Sequence, residues 1–359
     1  MRHMEMPHNI YIHTPFCMSK CNYCAFFSAA CSAPDWDGFA DGIVREIEFW
    51  GARIGNTTVP TVFFGGGTPS LIPTRVFARI MGALRDNFNI APNTEITLES
   101  NPGTLDATGL REFVDTGVNR LSIGVQRLND DALKFLGRRH SVRDALELLG
   151  AAMGFGLRVN ADFIYGIPGD TVDTVTQMCR DINALGLGHV SMYELTIEPG
   201  TPFGKMHLDM PTNDAMAEMY CAIAGTLGLP RYEVSNYATP GNECRHNQNV
   251  WDGAPYIGIG RGAAGRPYID GTWYEQRGGD DIKMQPLTID ARATEKIITG
   301  MRTMRGVHKT DDVMHVINTD YVRANPDLVY DNGDRICATE KGLLILDDLL
   351  LDLCNWDGK

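Results

Sequence analysis

The chain has 359 residues, of which 43% are apolar and 21% charged, ordinary globular usage that excludes disordered and fibrous classes. Its 45 acidic residues outweigh 32 basic ones, and the resulting net charge of −13 repels phosphate backbones, so no nucleic-acid partner is expected. No apolar run is long enough to span a bilayer, and Met1–His8 lacks the apolar stretch of a signal peptide, so a cytoplasmic location is expected.

In chain order, short apolar strands alternate with amphipathic helices. Strands are predicted over 9–13, 61–65, 95–99, 120–124, 158–165 and 189–195, with helices over 36–53, 75–87, 141–153 and 172–185 between them. This alternation predicts an α/β fold with a parallel sheet and right-handed crossovers, and six such units suffice for a closed or partial barrel over residues 1–210. After Pro199 the pattern changes. A helix near 214–227 opens an accessory segment, 211–290, whose stretch 231–277 is rich in Gly, Asn, Tyr and Trp and reads as irregular structure with short strands. A helix over 291–304 and a Leu-rich one within 336–353 make 291–359 a small helical module.

The nine cysteines are an odd number, and three of them crowd into eight residues as Cys17-x3-Cys21-x2-Cys24, in the loop after the first strand. Three thiolates can hold three irons of a cubane and leave the fourth iron open, whereas electron-transfer ferredoxins fill all four positions with Cys. A zinc site prefers a second C-x2-C pair, which is absent here; three unrelated core cysteines are the other alternative. Cys31 is the only nearby candidate for a fourth ligand, and seven residues is a long step from Cys24, so it is left out of the set.

The cysteine motif, with Tyr23 before its last member, resembles the radical S-adenosylmethionine (SAM) superfamily. Within it, the chain resembles the oxygen-independent coproporphyrinogen oxidase-like proteins, and among these the HemW haem chaperones. The resemblance runs from about Asn9 to Leu353. It implies a partial (β/α)6 radical SAM barrel with a smaller C-terminal α-rich domain, a 4Fe-4S cluster on Cys17, Cys21 and Cys24, and bound SAM.

The residues expected at SAM follow the strands. Gly66, Gly67 and Thr68 lie in Gly65-Gly66-Gly67-Thr68-Pro69, where glycines let backbone approach a ligand, although a tight turn would look the same. In the superfamily the matching segment binds the methionine amino group. Glu99 ends the third strand, where it could contact SAM or cap a helix. Gln126 follows the fourth. Arg138 could fork onto a carboxylate, with Arg139 and His140 as solvated neighbours. Asp162 on the fifth strand could accept ribose hydroxyls. Tyr11 on the first strand is expected beside the cluster. Singly each of these is commonly structural; together they decorate one end of successive strands, where α/β folds bind ligands.

The anaerobic oxidase carries a further Cys two residues after the third, where this chain has Phe26, as HemW-like proteins do. The family's haem motif H-N-x-x-Y-W is present as His246-Asn247-Gln-Asn-Val250-Trp251, with Val for Tyr; Ala25 and Ala264 replace the usual Asp and His. Imidazole is a common axial ligand of haem iron. The resemblance implies that His246 ligates haem b, from near the surface because it follows the Gly- and Asn-rich turn 239–242, although an isolated His–Asn pair is also commonly a helix cap or a satisfied hydrogen-bond pair. The resemblance implies haem or a porphyrin as partner, a haem-acceptor protein, and a reductant such as flavodoxin or ferredoxin. The other function it allows is a radical enzyme acting on a porphyrinogen.

Overall fold

The computed structural model describes residues 6–55 and 57–355. Its first strand, β1 (Asn9–Thr14), leads through the cysteine loop into α1 (Trp36–Ile54). The Asp35 side chain caps α1 by accepting from Gly38 N, and Ala40, Ile43, Ile47, Trp50 and Ile54 fall on one buried stripe. The alternation continues through β2 (Thr61–Gly66), α2 (Thr74–Asn87), β3 (Glu95–Ser100), α3 (Ala107–Asp115), β4 (Arg120–Gln126), α4 (Asp130–Phe135), α5 (Val142–Gly154), β5 (Arg158–Tyr165), α6 (Val172–Ala184) and β6 (His189–Glu194). Strands β1 to β6 are parallel and paired in sequence order, which puts all their carboxyl ends on one rim. All seven residues of β4 are buried, as expected for a strand covered by helices outside and enclosed by its own sheet inside. The short helices α3 and α4 escaped the periodicity reading because neither reaches three full turns.

The segment read as an irregular accessory instead supplies both edges of this sheet. After α7 (Asn213–Thr226), β7 (Asn236–Ala238) adds antiparallel to β6. Helix α8 (Arg245–Trp251) then leads to β8 (Tyr256–Ile259), which adds parallel to β1. The eight strands run β8-β1-β2-β3-β4-β5-β6-β7. The sheet curls without pairing its two edges, so the architecture is a partial barrel. A small antiparallel sheet follows over 264–286.

From α9 (Ile289–Met301) onward the chain builds a second apolar core around Ile297, Met301, Val329, Ile336 and Leu349. This region is not purely helical. Val307–His308, Arg335–Ala338 and Val329–Asp331 form a three-stranded antiparallel sheet, with strands too short for an alternating pattern to show in the sequence. No helix among the described residues is long and apolar enough to cross a membrane.

Candidate functional site

A cavity of about 480 Å³ opens at the carboxyl rim of β1 to β6. Cys17, Cys21 and Cys24 all line it, as free and partly exposed thiols. Backbone hydrogen bonds fix their loop. Asn22 N donates to Leu136 O, Asn22 Nδ2 donates to Phe135 O at 2.8 Å, and Phe203 N donates to Asn22 O. Cys31 N donates to Cys17 O, but Cys31 does not line the cavity. Among the described residues no three Cys, His, Asp or Glu side chains are grouped about a single metal-ion position. Three separate thiols with no fourth on the cavity suit a cubane, in which each ligates its own iron.

The glycine segment meets this loop directly. Gly67 N donates to Thr14 O and Thr68 N to Phe16 O. A Cβ on Gly67 would lie 2.5 Å from Phe16 O and 2.9 Å from Cys17 Sγ, so only glycine lets backbone pass beside that thiol. Gly66 has φ +113 and donates its N–H to Glu99 Oε2 at 3.0 Å. Gln126, at the end of β4, has φ +66, a left-handed conformation that costs energy in a non-glycine residue and marks the rim as a place where geometry is imposed. Burial, and then the neighbouring Asp162 carboxylate, push the Glu99 carboxyl up to about 8. Burial likewise raises Asp162, which accepts from Ser122 Oγ at 3.2 Å and Asn160 Nδ2 at 2.8 Å. A carboxyl held largely neutral by burial and by a neighbouring carboxylate, as Glu99 is, would ionise beside a cation, and SAM offers an ammonium and a sulfonium.

Gly66, Gly67, Thr68, Glu99, Gln126, Arg138 and Asp162 all line the cavity with the three cysteines. Arg138 is placed differently from a free fork: it donates to Cys21 Sγ at 3.4 Å, to Gly124 O at 2.7 Å and to Asn101 Oδ1, so it braces the cysteine loop. Tyr11 does not line the cavity. Its ring stacks on Phe63 and its hydroxyl bonds His13 Nδ1 at 2.9 Å, while His13 Nε2 reaches Phe27 O in the tail of the cysteine loop.

The surface placement expected of His246 is corrected. The residue is 5% exposed, its Nδ1 lies 2.7 Å from Thr61 Oγ1, and its ring centroid lies 5.1 Å from that of Phe63. Burial lowers its pKa to about 4, so the ring is neutral. The reason is α8. Its first N–H groups, from Arg245 and His246, donate to the Glu95 carboxylate, and this draws the helix onto the amino-terminal end of the barrel. The His246 ring is not on the cavity wall, whereas the neighbouring Asn247 is.

Arg120, Asn101 and Gly124 also line the cavity and were missed in the sequence, and so does Asn247, which the sequence placed only in the haem motif. A signal was present for two of them. In β4 the order Arg120-Leu-Ser122-Ile-Gly124-Val-Gln126 alternates polar or small with apolar residues, which puts the first set on the inner face of the strand.

Residues 11–182 match the sequence profile of the radical SAM superfamily. The chain is 30% identical to the haem chaperone HemW of Lactococcus lactis subsp. lactis over 386 aligned residues, covering 98% of this chain and all of that one. The chain belongs to the HemW family of radical SAM proteins. HemW of Escherichia coli is 37% identical over 265 residues, 72% of this chain and 70% of that protein. The solved coproporphyrinogen III oxidase HemN of Escherichia coli superposes with a TM-score of 0.82 over 98% of this chain and 91% of its own, at 20% identity, a likeness of fold. Membership in the radical SAM superfamily implies a 4Fe-4S cluster and SAM, and the cavity at the strand rim carries a donor set that fits both.

Proposed function

We propose that this protein is a haem carrier that binds haem and passes it to an acceptor protein in the cytoplasm. In this reading Cys17, Cys21 and Cys24 hold a 4Fe-4S cluster. Gly66, Gly67, Thr68, Glu99, Gln126 and Asp162 hold SAM, with Arg138 keeping Cys21 in place. A reductant such as flavodoxin or ferredoxin keeps the cluster reduced. When bound, the cluster with its open iron and SAM supply radical chemistry. The chain's own residues orient the methionine end through Gly66 and Glu99 and shelter it from water in the barrel mouth.

The observation that carries the reading is end-to-end similarity to relatives named as haem chaperones, combined with Phe26 in place of a further cysteine. With its ring buried and bonded to Thr61, His246 is not free to reach a haem iron in this conformation.

The test is anaerobic reconstitution followed by separate titrations with haem and with coproporphyrinogen. Saturable binding of about one haem per chain, with no oxidation of coproporphyrinogen, is expected. Turnover of the porphyrinogen without haem binding would replace the carrier with a radical enzyme.

A further inference from the structure

Outside the cavity, the cysteine loop leaves large apolar side chains in solvent. Met18 is 49% exposed, Phe26 65% and Phe27 50%, and Met206 in the adjoining segment is 54% exposed. Folding gains nothing from such exposure, and apolar groups gathered on one face mark a contact surface. The charge of this face is also opposite to that of the whole protein. Residues 6–34 include Lys20 and no Asp or Glu, in a chain of net charge −13.

Three segments fold against the loop, and each brings a further cation. Asn22 donates to Phe135 O and Leu136 O, which sets Arg139 beside the loop. Phe203 N donates to Asn22 O, which does the same for Lys205. Gly262 packs against the Phe27 ring, and the Arg261 guanidinium lies 5.7 Å from that ring's centroid. Lys20, Arg139, Lys205 and Arg261 are all exposed. Among the described residues none of the four forms an ion pair, whereas surface cations elsewhere, such as Arg75, Arg143 and Lys309, are each paired with a carboxylate. The carboxylates of the same mouth, Glu194 and Glu198, lie at and beyond the end of β6 and pair with none of these cations.

Exposed Phe and Met ringed by uncommitted cations have the make-up of a protein contact, with an apolar centre and a polar rim, and the sign of the charge selects an acidic partner. The position selects its chemistry. Cys17, Cys21 and Cys24 are partly exposed thiols of this same loop, so a cluster on them lies just under the face. Electron transfer falls off steeply with distance, so a reductant has to approach here. We propose that Phe26, Phe27 and Met18, ringed by Lys20, Arg139, Lys205 and Arg261, dock a small acidic one-electron donor protein, an inference that rests on the reading that such a donor reduces the cluster. One electron leaves the donor and enters the cluster, and no bond forms or breaks. A contact that must release its partner after each electron belongs among the small, transient interfaces.

The test uses an acidic flavodoxin and the anaerobically reconstituted protein. Calorimetry measures binding of the oxidised flavodoxin, and stopped-flow bleaching of the cluster measures electron transfer from the reduced form. Both should weaken as salt rises from about 0.05 M to about 0.5 M, where screening leaves a range of roughly 4 Å. Arg139→Glu combined with Lys205→Glu should weaken binding and slow reduction about tenfold or more, while iron content and reduction by methyl viologen radical stay at the parental level. Arg53→Glu combined with Arg180→Glu makes the same charge change toward the ends of α1 and α6, away from the rim, and should do neither. Equal effects of the two double variants overturn the proposal, as does a parent whose binding ignores salt or tightens with it. If the Arg139 and Lys205 variant does not take up a cluster, Arg261→Glu decides by the same two measurements. A variant reduced at the parental rate but impaired in haem titration overturns the proposal in favour of haem as the occupant of the face. Each of these failures leaves the haem-carrier reading standing, whereas a parent that assembles no cluster overturns both.

Discussion

Replacing His246 with Ala separates a structural histidine from a haem ligand. The substitution removes the contact with Thr61 Oγ1 at 2.7 Å and the packing on Phe63, and leaves a void at a site that is 5% exposed. A lost net hydrogen bond costs about 1 kcal/mol and a large-to-small change in a core adds about 1–3 kcal/mol, so a loss of about 2–4 kcal/mol is expected at pH 7. Urea unfolding of the haem-free protein measures it. The loss should also depend on pH. The folded pKa of about 4 lies below the ordinary 6.5, so the unfolded chain takes up the proton first. The stability His246 contributes is therefore complete above pH 6.5 and is lost as pH falls toward 4. At about 1.36 kcal/mol per pH unit, about 2 kcal/mol of the gap between parent and variant should be gone by pH 5. Haem titration of the same variant should still give a Soret band. A variant of parental stability that no longer shows the band would refute this reasoning and restore His246 as the ligand.

Two further substitutions probe the rim. Ala at any of Cys17, Cys21 or Cys24 should abolish the iron content of anaerobically reconstituted protein, from about four irons per chain, whereas Cys31→Ala should leave it intact; iron and sulfide analysis checks both. Gly67→Ala should displace Phe16 or Cys17, because its Cβ would lie 2.5 Å from Phe16 O and 2.9 Å from Cys17 Sγ, so iron content should fall even though no thiol is removed; full iron loading in that variant would contradict the close approach.

The six strands of the barrel could be read from the sequence because each is an apolar run between turn signals and helices of three turns or more. Of the residues expected at SAM, seven line the cavity: Gly66, Gly67, Thr68, Glu99 and Gln126 lie at or just beyond a strand's carboxyl end, whereas Asp162 lies within β5 and Arg138 in the loop after α4. What could not be read depends on contacts between distant segments. β7 and β8 contribute three and four residues, too few for a period, and they find their places only by pairing with β6 and β1. The burial of His246 depends on a carboxylate about 150 residues away: Glu95 accepts the α8 N–H groups and holds the helix inside the barrel end. A Gly- and Asn-rich turn before a histidine says nothing about that.

The same long-range contact links the two halves of the site. Glu95 is paired with Arg158, accepts from the backbone of α8 and, against its burial, is held ionised chiefly by the Arg120 charge. The same helix brings Asn247 to the cavity wall. Substitutions of Val250 should matter less than substitutions that loosen α8 from Glu95, because position 250 does not line the cavity.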